Sequence, residues 1–410
     1  MLKKLKIKNY KSFKNFEIEL DKFNCIVAPN NAGKSNLIDS FRFLQYVFIN
    51  PQKAIEEFGG FDNIKNIFLD DEKIVFEVDF FIDKIILNTA YIEDDIKEYI
   101  EVFKNLEIKV LFEVDKNRNW NKKYIIKGNF AKKLTLKNIK TFPFYIEINY
   151  LNLKSEDKEF VKKELLKIKY KDKDDLLYAL RLPDLIDNNS SIFIGDSDIF
   201  NLSDYFYSYS FYPEIIKTHL KGGRVLRFDG TNLVEVLNFL KNSFNFEEIS
   251  NSLIGIVEEL DDIKIDKDLI DRNILLLKEK NKFLPFNIVS DGTINLLAIL
   301  TSIYEPFEKK MISFDELEKH LHLRAIDYIL EVLKSQTFQV TFTTQSTEIL
   351  NNLDLRSDNL IFLYRDYEGF TKGINSKKIP NFNKKVKRYK DISTIIRNEV
   401  LGYLGDFDEN

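Results

Sequence analysis

One short segment constrains what this chain can fold into more than any other: residues 28–35, which read Ala-Pro-Asn-Asn-Ala-Gly-Lys-Ser. The segment follows an apolar run, 23–27, and precedes an apolar-periodic stretch, 37–48. Strand, tight loop and helix is the context in which a Gly-x-x-x-x-Gly-Lys-Ser loop binds phosphate through backbone N–H groups and the helix N-terminus. The sequence therefore predicts a phosphate-binding loop between a strand and a helix of an α/β sheet.

The residues of this loop have distinct expected roles. Lys34 is expected to reach the terminal phosphates of a nucleotide, and Ser35 to supply its hydroxyl to Mg²⁺. Ala28 stands where the pattern has its first glycine, and alanine fits there if the backbone φ angle is negative. A chance strand–turn–helix with a surface lysine is the alternative for the loop taken alone. The other candidate nucleotide-binding residues of the loop are Asn30, Asn31, Ala32, Gly33 and Asn36.

Two adjacent carboxylates, Asp315 and Glu316, end a second apolar strand. At a phosphoryl-transfer site, the first can hold Mg²⁺ and the second can orient or deprotonate the attacking water. Acidic residues after a strand more often form a solvated loop, but their position downstream of a phosphate loop favours the catalytic interpretation. The candidate metal ligands are thus Ser35 and Asp315, and the candidate base is Glu316.

Two further segments carry weaker signals. Ser290, Asp291 and Gly292 precede a helical pattern, and they are either a simple N-cap or a loop that presents a serine and a glycine to phosphate. The β-rich run 340–344 ends at Gln345. In a parallel α/β sheet such a strand end lies beside the bound ligand, although an ordinary exit from the strand fits this segment equally well.

Taken in order, these motifs resemble those of the RecF/SMC/OLD-like group of ABC-type ATPases, and most of all the bacterial and archaeal proteins called AAA family ATPases. The resemblance spans nearly the whole chain and implies an α/β P-loop NTPase (ABC ATPase-like) core with an antiparallel β lobe and a helical insert. The matching segments are the opening strand and turn (2–13), Walker A (28–36), an Asp-Gly-Ser-Asn-Leu-like segment (227–233), the signature helix (290–300), Walker B and D-loop (315–322) and the switch loop (343–346).

The resemblance also implies a mechanism. ATP and Mg²⁺ are the expected cofactors, and a homodimer or higher homo-oligomer is expected, in which Ser290 and Gly292 complete the site of the partner subunit. Such a protein is an ATP-gated switch, with Glu316 activating water, in DNA-related or anti-phage defence processes. Gln345 stands where a histidine commonly contacts the γ-phosphate, and glutamine cannot titrate near neutral pH. A rival hypothesis is therefore a weakly or non-hydrolysing scaffold or sensor that controls a separate effector, such as a nuclease or toxin.

Composition restricts the class of protein. Among 410 residues, 44% are hydrophobic and 31% are charged, which is typical of a globular protein. The single cysteine, Cys25, excludes a disulfide framework and a Cys-based zinc site. The sequence lacks the apolar run of ~18 residues that spans a bilayer and the core of a signal peptide, so we expect no membrane partner and a cytoplasmic location. The switch loop lies close to Asn410, so we expect no Toprim nuclease domain of the kind that OLD proteins carry.

The expected organisation has three parts. Residues 1–150 hold Walker A and the β lobe, 151–221 form a helical or variable insert in which 205–212 is a loop, and 222–410 hold the signature, Walker B and switch loop. A basic stretch with interleaved aromatic residues, 377–390, could contact phosphates and stack on bases, which makes DNA a further candidate partner. A solvated surface is the alternative for that stretch.

Overall fold

The structure is a computed structural model that describes residues 1–88, 99–130, 148–149, 191–192, 205–218, 220–307, 309–382 and 384. Most of the predicted insert, including His219, and the basic residues at 385, 387, 388 and 390 lie outside the described residues. Within the described ranges, no helix has the length and apolar character that crossing a bilayer requires.

The strands are numbered in chain order, and they alternate with helices in residues 291–365. The strands are β1 (Leu2–Tyr10), β2 (Phe13–Glu19), β3 (Phe23–Val27), β4 (Lys73–Asn88), β5 (Tyr99–Asp115), β6 (Trp120–Phe130), β7 (Ile148–Asn149), β8 (Ser191–Ile192), β9 (Phe206–Tyr209), β10 (Leu260–Lys267), β11 (Asn273–Glu279), β12 (Lys282–Pro285), β13 (Met311–Phe314), β14 (Gln339–Thr344), β15 (Asn359–Arg365) and β16 (Thr371–Asn375). The helices are α1 (Lys34–Ile49), α2 (Pro51–Glu57), α3 (Phe61–Ile64), α4 (Pro213–Ile216), α5 (Leu233–Leu240), α6 (Phe244–Ile256), α7 (Asp291–Tyr304), α8 (Leu323–Ser335) and α9 (Thr347–Asn351).

A six-stranded sheet in the order β16-β15-β3-β14-β13-β9 forms the core that carries the predicted motifs. Its inner strands run parallel, and β16 alone pairs antiparallel, at the edge. Val27 pairs with Thr344, and Phe342 pairs with Phe314, so the carboxyl ends of β3, β14 and β13 meet at one edge of the sheet. This arrangement confirms the predicted α/β P-loop NTPase fold, in which ligands bind at that edge.

One sequence prediction was wrong. Residues 205–212 were expected to form a loop, but Phe206–Tyr209 is the strand β9, paired parallel with β13. All four of its side chains are buried. A strand covered on both faces shows no alternation of polar and apolar residues, and here Phe41 of α1 stacks on Phe206 with ring centroids 6.1 Å apart.

The predicted β lobe is a seven-stranded sheet in the order β2-β1-β4-β5-β6-β7-β8. Its first hairpin pairs β1 with β2, with Leu5 opposite Ile18, and β4 pairs with β1 on the other side. Phe43 of α1 packs against Tyr10 and Phe76 of the lobe, with ring centroids 5.5 Å apart in both pairs. The helix that begins at the phosphate loop therefore shares its core with the β lobe.

A small antiparallel sheet, β10-β11-β12, leads into the helix α7. From Thr293 to Ile303 every side chain of α7 is buried, because the helix lies inside the main hydrophobic core. The helix is thus anchored in the core from Thr293 onward, and the predicted signature loop lies exposed at its N-terminus.

Candidate nucleotide-binding site

The phosphate loop has the backbone of a tight anion-binding turn. Gly33, the N-cap of α1, has φ 102°, and a Cβ atom there would lie 2.6 Å from the Thr371 hydroxyl. Glycine is therefore required at this position both by its φ angle and by the space available. Asn31 also has a positive φ, 64°, whereas Ala28 does not, which explains why alanine fits in place of the first glycine.

The Lys34 side chain curls back into the loop. Its Nζ donates to the backbone oxygens of Ala28 at 2.9 Å and Pro29 at 3.1 Å, and the residue is only 6% exposed. Burial lowers the pKa of Lys34, and the nearby carboxylates of Glu316 and Asp315 oppose that shift. The ammonium group and the two predicted carboxylates therefore lie at one site.

The two predicted metal ligands are in contact with each other. Burial raises the pKa of Asp315, while hydrogen bonds from the hydroxyls of Thr343 and Ser35 oppose this shift. The Thr343 hydroxyl donates to Asp315 Oδ1 at 2.7 Å. Hydroxyl and carboxylate oxygens suit Mg²⁺, which keeps several waters and takes few protein ligands. Ser35 and Asp315 therefore fit Mg²⁺ bound together with phosphates. The described part of the chain has no cluster of three or more His, Cys, Asp or Glu side chains that could hold a metal ion.

The two predicted catalytic residues are also in contact. The Gln345 amide donates from Nε2 to Glu316 Oε1, and the Glu316 backbone N–H donates to the Thr343 hydroxyl at 2.8 Å. Glu316 has φ 51°, an unfavourable conformation for a residue with a Cβ. Strained backbone of this kind clusters at functional sites, where the surrounding contacts hold it in place.

A third carboxylate, Glu318, positions the switch loop, and sequence reasoning gave it no role in nucleotide binding. The Gln345 backbone N–H donates to Glu318 Oε1 at 2.7 Å. Burial raises the pKa of Glu318, because a charge there is poorly solvated. The available signal was the spacing Asp-x-x-Glu from Asp315 to Glu318, which follows a buried strand.

In the predicted signature loop, Ser290 bonds within its own helix, and the Asp291 carboxylate accepts from Lys217 Nζ at 2.7 Å. The Ser290 hydroxyl accepts from the Thr293 backbone N–H at 3.2 Å, as an N-cap does. A Cβ atom on Gly292 would lie 2.6 Å from the His320 carbonyl oxygen, so the loop packs against the segment that follows Glu318. Among the described residues, no hydrogen bond joins Ser290 or Gly292 to the phosphate loop of the same chain.

Asn36 and Arg365 lie at the outer side of the phosphate loop. The Asn36 amide donates to the Ser12 hydroxyl at 2.8 Å and so ties α1 to the first turn of the chain. Arg365 donates from Nε to the Asn31 backbone oxygen at 2.8 Å. Sequence reasoning missed Arg365, because its position depends on the pairing of β15 with β3.

Comparison with known proteins gives two short matches to characterised relatives. An "ATP/GTP phosphatase" of Helicobacter pylori is 39% identical over 66 residues, which is 16% of this chain and 17% of that protein. The "Chromosome partition protein Smc" of Methanocaldococcus jannaschii is 46% identical over 44 residues, which is 10% of this chain and 4% of that protein. The matched stretches thus span less than a fifth of either relative.

Solved structures of SMC head domains resemble the chain over most of its length. A head bound to the C-winged helix domain of ScpA is 15% identical, with a TM-score of 0.48, and the match covers 91% of this chain and 97% of that one. The head domain from Thermotoga maritima is 15% identical, with a TM-score of 0.41, over 91% of this chain and 98% of that one.

Two family models match the chain. A model described as "AAA domain, putative AbiEii toxin, Type IV TA system" matches residues 207–351. A model described as "AAA ATPase domain" matches residues 1–210, which hold the phosphate loop and β1 to β9. Because the second model covers half of the chain, and the site has the loop and carboxylates that such a domain needs, the chain belongs to the AAA ATPase domain family.

Proposed function

We propose that this protein hydrolyses ATP to ADP and phosphate with the site formed at the carboxyl edge of the parallel sheet. One observation carries the proposal: Lys34, Ser35, Asp315 and Glu316 come from two separate segments of the chain, yet their charged and hydroxyl groups interact at one edge. An ammonium group, a hydroxyl and two carboxylates are the groups that phosphoryl transfer to water needs.

The residues divide the chemistry as follows. Lys34 would exchange its two carbonyl partners for the terminal phosphates, and Ser35 and Asp315 would hold Mg²⁺, which neutralises phosphate charge when bound. Glu316 would take a proton from the attacking water. A bond then forms between the water oxygen and the γ-phosphorus, the bond to the bridging oxygen breaks, and ADP leaves.

The Gln345 contact favours a second candidate function, a weakly hydrolysing scaffold or sensor. The amide of Gln345 donates to the Glu316 carboxylate, and a carboxylate that accepts a hydrogen bond is a weaker base. Since glutamine itself cannot accept a proton at neutral pH, proton transfer would depend on Glu316 alone. Such a protein would use ATP binding to control a separate effector.

We also propose that two copies of the chain close around ATP, with Ser290 and Gly292 of each facing the phosphates held by the other. Support comes from the exposed N-terminus of α7, whose dipole and free N–H groups favour an anion. ATP would then hold the dimer closed, and hydrolysis would open it. The partner that responds to this change would be DNA or an effector protein such as a nuclease or toxin. Measuring DNA binding as a function of salt concentration would test DNA as the partner.

Phosphate release from purified protein tests the proposal. We expect Mg²⁺-dependent release from ATP, and a loss of about a hundredfold or more in Glu316→Gln, the range expected when a general base is removed. Glu331→Gln is the matched control, because Glu331 lies exposed on α8. GTP should be tested in parallel, since the phosphate loop does not recognise the base. Binding of ATP without release by the unmodified protein would favour the scaffold, and equal release by Glu316→Gln would refute the assigned base.

A further inference from the structure

Arg365 makes a bridge between the phosphate loop and the β15–β16 turn. Its Nε donates to the Asn31 backbone oxygen at 2.8 Å, and Nη1 donates to the Gly369 backbone oxygen at 2.6 Å. The register explains the contact. Phe362 of β15 pairs with Val27, the last residue of β3, and Arg365 lies three residues after Phe362, beside the loop that follows Val27. The side chain is exposed, which leaves it no evident role in the core.

The bridge fixes the orientation of the peptide between residues 31 and 32. In a planar trans peptide, the C=O and N–H groups point in opposite directions, and the described backbone contains no cis peptide. Arg365 holds the Asn31 C=O on the outer side of the loop. The Ala32 N–H therefore points to the inner side, where it donates to the Pro29 backbone oxygen at 3.3 Å.

The inner side of the loop is the side on which phosphate would bind. Pro29 O accepts both from the Ala32 N–H at 3.3 Å and from the Lys34 ammonium at 3.1 Å. A hydrogen bond of 3.3 Å is long, so the Ala32 N–H is free to exchange this partner for a charged phosphate oxygen at little cost.

The loop needs external support because its backbone is strained. Asn31 has φ 64°, a left-handed conformation that a residue with a Cβ keeps only when neighbours hold it. The β15–β16 hairpin supplies two supports. Arg365 holds Asn31 from the outside, and the buried Thr371 side chain packs under Gly33.

We propose that Arg365 is a positioning residue for nucleotide binding: it keeps the 31–32 peptide oriented so that the Ala32 N–H faces the phosphates. It acts through the loop and does not contact the nucleotide. The backbone N–H groups of such a loop bind the phosphates nearest the nucleoside, so the ligand class affected is nucleoside diphosphates and triphosphates alike. This inference rests on the proposed nucleotide-binding function.

Binding of ADP and ATP by Arg365→Met, measured by calorimetry, tests the proposal. We expect both affinities to fall by about tenfold, which corresponds to about 1.4 kcal/mol and to the loss of one charge-assisted hydrogen bond. Arg365→Lys should recover part of the loss, because lysine keeps the charge but not the fork of donors. In phosphate release the KM for ATP should rise, while kcat, measured at saturating ATP, stays within about twofold, since the reacting groups are untouched.

Arg356→Met is the matched control, because Arg356 is highly exposed and, within the described ranges, pairs only with Asp354 in its own turn. Unchanged ADP and ATP affinities in Arg365→Met would overturn the proposal. A loss confined to ATP would also overturn it, since that result indicates a direct contact with the γ-phosphate. If Arg365→Met does not fold, the same two outcomes are read from Arg365→Lys. Absence of nucleotide binding by the unmodified protein would refute the proposed function itself, and this inference with it.

Discussion

The phosphate loop and the signature loop are both strand-to-helix turns at the start of a buried helix, yet their polar groups are satisfied in different ways. At the phosphate loop, Lys34 and Ser35 interact with carboxylates that lie about 280 residues further along the chain. At the signature loop, Ser290 bonds to Thr293 of its own helix. The first is an assembled site, where a cation and a hydroxyl meet carboxylates from a distant segment. The second is a helix end where Ser290 bonds locally and Asp291 pairs with Lys217.

This difference separates the region that is proposed to bind nucleotide within one chain from the region whose proposed role needs a second copy. The assembled site contains a cation, a hydroxyl and carboxylates within one chain, so nucleotide binding can be tested on a single copy. The signature loop has a helix N-terminus that favours an anion, but it has no bond to the phosphate loop of its own chain among the described residues. Its proposed role therefore depends on a second copy.

The largest effect that this comparison predicts is in Lys34→Ala. The ammonium group should face the terminal phosphates, and a charge-assisted contact of this kind contributes more than a neutral hydrogen bond. We expect ATP affinity to fall by about a hundredfold or more. The variant should remain folded, because it loses only the hydrogen bonds from Nζ to the Ala28 and Pro29 carbonyls, about 1 kcal/mol each. Calorimetry and thermal unfolding measure the two, with the exposed Lys53→Ala as the control. Undiminished affinity in a folded variant would show that the assembled site is not the nucleotide site.

The second prediction tests whether the signature loop acts on another copy. In a Glu316→Gln background, ATP–Mg²⁺ should increase the molar mass seen by light scattering. Ser290→Asp should abolish this increase, because aspartate still caps the helix but repels a partner's phosphates. Ser290→Thr keeps both the cap and the neutral hydroxyl, and it is the control. If Ser290→Asp associates as before, the signature loop has no role in the partner's site.

Thr343→Val gives a smaller effect that separates metal binding from packing. Thr343 donates to Asp315 and accepts from the Glu316 backbone N–H, and both bonds are lost with valine. We expect a destabilisation of about 1–3 kcal/mol, the cost of a buried unsatisfied polar group, and about a tenfold increase in the Mg²⁺ concentration required for turnover.

Thr341→Val is a matched control on the same strand. Its hydroxyl accepts from the Asn24 amide at 3.1 Å, in the core and away from the site. Thr341→Val should lower stability to a similar degree but leave the Mg²⁺ requirement unchanged. An equal shift of the Mg²⁺ requirement in both variants would show that Thr343 acts on the fold and not on the metal ligands.

Residues whose role follows from local spacing could be predicted from the sequence. The Gly-Lys-Ser spacing after an apolar run places Gly33, Lys34 and Ser35 at the start of a helix, and two carboxylates after a strand place Asp315 and Glu316 at the sheet edge. These positions follow from the carboxyl ends of parallel strands meeting at one edge. Glu316 and Gln345 were each expected beside the bound nucleotide, but their mutual contact depends on the pairing of β13 with β14, which the sequence did not indicate.

Residues whose role depends on register or burial could not be predicted. Arg365 reaches Asn31 only because β15 pairs with β3, and one residue of register shift would turn its side chain to the other face. The strand β9 was missed because four consecutive buried residues carry no period-2 signal. Glu318 was not assigned to the site because only the folded switch loop brings the Gln345 N–H to it.

The smallest predicted effect concerns the cost of burying Glu318. Burial raises its pKa in the folded state above the usual value for a carboxyl, so the folded state retains the proton more strongly than the unfolded state does. A group with a raised pKa in the folded state contributes stability below its unfolded pKa, and that contribution is lost as the pH rises through the folded pKa.

Glu318→Gln removes this loss and still offers an oxygen to the Gln345 N–H. We therefore expect the melting temperature of Glu318→Gln, relative to the unmodified protein, to rise as the pH increases above 4.5 and to level off above the raised pKa of the folded state. Glu331→Gln should show no such trend, because that side chain is exposed. A melting-temperature difference between Glu318→Gln and the unmodified protein that does not change with pH would mean that burying Glu318 has no cost. The phosphate site would then be less strained than its geometry indicates.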